Sequence, residues 1–217
     1  MPSQPKSIFR RVPDYKRLHL YQKSEVLVML TDVFCKRFLP LYGDRTVDQM
    51  NQAARSGKQN IVEGSEAAMT SSETEVKLVN VGRASLQELR EDYEDYLNKH
   101  SLPLWDKRHP RFEKMLAFCR THNIYDDYSQ LAESLTAEEF CNMAITLCHI
   151  TDKMADTYLQ HLEKQFLTQG GVKERMHAAR TGYRQEQDLR LRELEEENRL
   201  LKAQLAALKQ QLANKKY

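Results

Sequence analysis

Between Leu18 and Leu39 the apolar residues Leu20, Leu27, Leu30, Phe34 and Phe38 fall three, four or seven positions apart. This spacing predicts a helix with one buried face, stopped by Pro40. A second helix is predicted from Asp44, carrying the stripe Val47, Met50, Ala54, Gly57, Ile61, Gly64 and Ala68. The stripe is made of unusually small residues. A glycine costs about 0.8 to 1 kcal/mol relative to alanine inside a helix. Gly57 and Gly64 on the packing face therefore point to a closely approaching backbone, in preference to a kink near Gly64. Asn60 and Glu63 on the same helix are expected to be buried hydrogen-bonding groups that tie helices together.

The third helix is predicted to open with the capping box Ser72-x-x-Glu75 and to bury Val79, Gly82, Leu86, Leu89, Tyr93 and Tyr96 before ending near His100. Residues 101–135, with Pro103, Trp105 and Pro110, read as a connection holding one short helix, Arg111 to Arg120. Thr136-x-x-Glu139 opens a fourth helix whose apolar face is Phe140, Met143, Leu147, Ile150 and Met154, and Gly170-Gly171 ends it. Four amphipathic helices, none able to stand alone, pack most economically as an antiparallel four-helix bundle, here spanning 18–171 with the insertion at 101–135. The expected fold class is all-α. Only 7 glycines and 6 prolines in 217 residues leave too few turn formers for an all-β sandwich.

From Leu191 a heptad repeat begins, with Leu191, Asn198, Leu205 and Leu212 at a and Leu194, Leu201 and Leu208 at d. In a parallel pair Arg190 would face Glu195, and Glu197 would face Lys202. A lone asparagine at a favours two parallel strands. Residues 172–217 are thus expected to form a coiled coil that makes the chain a homo-oligomer.

Charge is divided along the chain. Residues 1–17 form a basic tail, with five basic residues against Asp14, and 172–217 hold 11 basic and 7 acidic residues. The intervening segment has 17 basic and 23 acidic residues. Any nucleic acid is therefore expected at the two ends, non-specifically, through Arg10, Arg11, Lys16, Arg17, Lys173, Arg175, Arg180 and Arg184. Arg184 is also followed by nine residues and then Leu194, the spacing of basic leucine-zipper proteins. However, Met176 occupies the place of that class's base-reading asparagine, and Gly182 is expected to interrupt the helix.

The stretch AARSGKQNIVEGSEA, followed by VGRASLQELREDYEDYL, resembles a small bacterial four-helix-bundle family. That family was first noted as reading frames inside ribosomal RNA intervening sequences and includes the accessory variability protein of diversity-generating retroelements. Asn60, Glu63 and Gly64 match its second-helix pattern, and Ser85, Glu88 and Leu89 its third-helix pattern, with Ala84 in place of glycine. The segment 141–176 also resembles the suffix region of longer members. The resemblance implies a non-enzymatic, oligomeric bundle that assists nucleic-acid transactions or a reverse transcriptase. Retroelement members are basic, unlike residues 18–171 here.

Little in the sequence points to chemistry. Cys35, Cys119, Cys141 and Cys148 lack the paired spacing of a zinc or redox site and read as reduced core residues. The one Glu-x-x-His pattern, Glu174 to His177, lies outside the bundle, so no metal, cofactor or catalytic residue is expected. Glu91, Asp92, Glu94 and Asp95 read as a solvated helix face. With no secretory leader and no membrane-length apolar run, the expectation is a cytoplasmic, non-enzymatic, self-associating adaptor with a protein partner, accessory to a nucleic-acid-handling complex. A leucine-zipper-like DNA-binding regulator is the alternative, and an enzyme of unrecognised type ranks third.

Overall fold

The structure, a computed structural model, describes residues 14–40 and 45–214, the side chains of Gln169 and of 210–214 excepted. Among them are a 3-10 turn, Tyr15–Arg17, and seven helices, with no strand. The helices are α1 His19–Phe38, α2 Arg45–Ala67, α3 Ser72–Lys99, α4 Phe112–Thr121, α5 Asp126–Ser134, α6 Ala137–Gln169 and α7 Val172–Asn214. The chain divides into two units between Gly171 and Val172.

In the first unit α1 packs on α2, α2 on α3, α3 on α6 and α6 back on α1, closing a ring around one apolar core. Leu27, Leu30 and Phe34 of α1, Met50 and Ile61 of α2, Leu89 and Tyr93 of α3, and Phe140 and Leu147 of α6 are sealed inside it. Phe34 stands edge-on to Tyr93 and Tyr96, each 5.0 Å away between ring centres. Tyr93 is wholly buried, and its hydroxyl lies 3.0 Å from the Thr31 hydroxyl, which satisfies the one polar atom the ring carries inward.

The local signals for helix ends hold in part. Thr136 and Glu139 make the expected reciprocal capping box at the start of α6, and Gly170, at φ 69°, caps its end. At α3 the cap is Ser71 and not Ser72: the Ser71 Oγ accepts from the Thr74 N–H at 3.1 Å. Glu75 is fully buried and accepts a hydrogen bond of 2.6 Å from the Tyr158 hydroxyl on α6.

The insertion contains two helices where the sequence predicts one, and α1 supplies cationic caps to both. Lys23, fully buried, donates to the carbonyls of Cys119 and His122 at the C-terminal end of α4. Arg37 donates to Ala132 O and, at 3.0 Å, to Leu135 O at the end of α5. These carbonyls have no partner within their own helices and sit at the negative end of the helix dipole, so a cation satisfies both needs. Desolvation nonetheless lowers the pKa of the Lys23 ammonium.

Candidate interaction site

Among the described residues the second unit is a single helix of 43 residues, α7, about 64 Å long at 1.5 Å per residue. It passes through Gly182 without a break, contrary to the expected interruption: alanine-, glutamate-, leucine- and arginine-rich neighbours carry one glycine at a cost of about 1 kcal/mol. Leu191, Leu194, Leu201, Leu205 and Leu208 lie 42 to 58 % exposed along one stripe. The side chain of Leu212 lies outside the described residues. The same seven-residue register extended toward the N-terminus places Lys173, Arg180 and Arg184 on that stripe. Two apposed strands would bring like charges together there, so in such a pair favourable contact would start at Leu191.

Of the other basic residues expected to meet nucleic acid, Lys16 and Arg17 are exposed on the 3-10 turn, while Arg10 and Arg11 lie outside the described residues. Arg175 is placed differently from these residues. It is half-buried, its Nε and one terminal nitrogen are covered and without a hydrogen-bond partner, and it lies off the stripe of Lys173, Arg180 and Arg184.

The small-residue stripe brings α2 and α3 into close contact. A Cβ added to Gly82 would sit 2.8 Å from the Gly57 carbonyl oxygen, and one on Gly57 would sit 2.6 Å from the Leu86 side chain. At Gly64 it would meet Val79 Cγ2 at 3.1 Å. Helix α2 runs unbroken to Ala67, so Gly64 serves close approach and makes no break. Asn60 donates to the Ser56 carbonyl and hydroxyl within its own helix, and the Ser56 hydroxyl lies 3.1 Å from that of Ser85 on α3. Asn60 thus reaches α3 through a serine. Glu63 does not tie helices together: it is exposed and accepts from Gln59 one turn earlier, because α2 turns that edge away from α3.

All four cysteines are buried and unbonded. Burial pushes the thiols of Cys35, Cys119 and Cys148 up to about 12 and that of Cys141 higher still, so none is a poised nucleophile. The native chain is expected to resist an aromatic disulfide reagent and to release four thiol equivalents once unfolded. Rapid labelling of any cysteine in the folded chain contradicts this placement. Among the described residues no group of three or more His, Cys, Asp or Glu could hold a metal ion.

The acidic face of α3 is not uniformly solvated. Asp92 is half-buried beside α2, and desolvation, reinforced by Asp95, Glu88 and Glu91, raises its carboxyl to about 6. The folded chain thus holds this proton more tightly than the unfolded one. The resulting stability is present below the ordinary value of 3.8 and is lost as pH rises through about 6. Asp92→Asn is expected to melt higher than the parent at about pH 7.5, with the difference closing by about pH 4. A difference independent of pH would refute this assignment.

Sequence reasoning missed a groove of about 1010 Å³ in the first unit. One wall is α6, where Ile150 and Met154, expected in the core, are half-buried and face the groove as well. The other walls are the first turn of α1, the segment around Leu104, and α4. Ile150 and Met154 recur three and four apart like core residues, but His149 and Lys153 beside them mark the stripe as half-open. Among the described residues no helix is long and apolar enough to cross a membrane. No family model, curated protein or solved structure matches this chain.

Proposed function

We propose that the chain is a non-enzymatic, self-associating helical adaptor, in which α7 pairs in parallel with α7 of a second copy. The observation that carries this reading is the row of half-exposed leucines on α7, an apolar seam with nothing within its own helix to cover it. The ring of α1, α2, α3 and α6 is read as an antiparallel four-helix bundle. The short links of α1 to α2 and α2 to α3 support this, since such links join antiparallel neighbours. The resemblance to the bacterial intervening-sequence and retroelement accessory proteins supports a cytoplasmic role beside a nucleic-acid-handling complex, with a protein as the direct partner. Two differently tagged copies should co-purify, and Leu201→Glu with Leu208→Glu in both should abolish this. Retention by the doubly substituted chain would refute pairing through α7.

A second reading, a leucine-zipper-like DNA-binding regulator, draws support from the unbroken course of α7 through Gly182. Met176 still stands where that class reads a base, which favours phosphate contact without sequence preference. Each phosphate contact adds about 0.9 to the slope of log affinity against log salt. Neutralising Lys173, Arg180 and Arg184 is therefore expected to flatten the slope on duplex DNA by about 2 to 3. An unchanged slope would remove α7 from the contact surface, and a footprint at one defined sequence would favour the regulator.

A further inference from the structure

We infer that the groove beside α6 is a docking site for an acidic amphipathic helix of a partner protein. Its long wall is the stripe of α6 from Ile145 to His161, which at 1.5 Å per residue runs about 24 Å. That is four to five helical turns, longer than a compact small ligand requires and suited to a helix lying in a groove, with anchors three, four and seven apart. Ile150 and Met154 offer such a helix a half-buried apolar floor, and Leu104, 56 % exposed, stands on the facing side.

The charge of the lining selects the occupant. Apart from the Tyr158 phenol, which donates to Glu75, the ionisable side chains along it are basic or imidazole: His19 on α1, Arg120 on α4, and His149, Lys153 and His161 on α6, with no aspartate or glutamate among the lining residues. This occurs within a segment, 18–171, in which acidic residues outnumber basic ones. Arg120 and Lys153 are exposed and make no ion pair among the described residues, whereas Arg83 on α3 is held by Asp152 at 2.5 Å and Asp156 at 3.6 Å. An apolar floor edged by unpaired cations complements a helix with leucine-like anchors and carboxylates on its flanks. A nucleic-acid strand would want open ring faces for its bases. Trp105, the largest ring here, is stacked on His109 at 3.9 Å with the Arg111 guanidinium also against it, so it is no open platform.

The test uses the full chain and a displayed library of helical peptides about 18 residues long, with leucine fixed at the anchor positions and the flanks randomised. Selection should enrich glutamate and aspartate at the flanks. Arg120→Glu with Lys153→Glu, both exposed positions, should weaken the enriched peptides about tenfold or more while leaving the circular dichroism spectrum unchanged. No enrichment, a neutral or basic pool, or indifference to the double charge reversal would overturn the inference. So would binding of a single-stranded RNA oligonucleotide that depends on Lys153 when no peptide is enriched. Because the groove lies within residues 18–161, the Leu201→Glu, Leu208→Glu chain should bind the same peptides. Loss of self-association and loss of docking are thus read separately.

Discussion

Replacing Leu201 and Leu208 with glutamate is expected to turn the proposed oligomer into monomers without unfolding the first unit. Both leucines are 55 to 58 % exposed at d positions of the heptad, so roughly half of each side chain remains to be covered by a partner strand. Covering that half contributes about 1 to 2 kcal/mol per leucine, or about 4 to 8 kcal/mol for the four leucines of a dimer. Each factor of ten in affinity is about 1.4 kcal/mol, so their loss weakens association by about a thousandfold or more, before the repulsion of facing carboxylates is added. Asn198→Val should act in the opposite direction on stability, removing a buried polar pair, but should loosen the choice of two strands. Undiminished association of the glutamate variant would place the contact somewhere other than α7.

Gly82→Ala is expected to lower the melting temperature, although alanine is the better helix former by about 1 kcal/mol. The new methyl group would lie 2.8 Å from the Gly57 carbonyl oxygen and 3.3 Å from both Asn60 Cβ and Ile61 Cγ1. The first neighbour is backbone, so relief requires α2 and α3 to separate along their closest line of contact. Overpacking of this kind typically costs about 1 to 3 kcal/mol, or about 2 to 12 °C for a chain of this size. Gly182→Ala is the control: a methyl group there meets nothing within 4 Å, and the change should strengthen α7. A melting temperature that rises for Gly82→Ala would contradict close packing of the two helices.

The spacing of apolar residues made the main helices legible because that signal is local and repeats every turn. The heptads of α7 are visible for the same reason. With two adjacent serines, the sequence places the α3 cap at Ser72, one position beyond the Ser71 that makes it. What engages Glu75 is the hydroxyl of Tyr158, 83 residues later, which no local pattern reveals. Helix α5 went unseen because nine residues with no side-chain cap carry little signal of their own, and a stabilising contact comes from Arg37 on α1. Glu63 reads as a buried tie from the sequence of α2, yet a local pattern does not say which edge of α2 faces a neighbour. The groove was the least legible feature, since its walls come from three separate parts of the chain and its stripe on α6 alternates core-like and charged residues.

The most direct test of the central claim is light scattering on the full chain at micromolar concentration, with the Leu201→Glu, Leu208→Glu variant measured beside it. Pairing through α7 predicts a mass of two chains or a higher multiple for the parent and of one chain for the variant. A parent that runs as a single chain, or a variant that keeps the parent's mass, would contradict it.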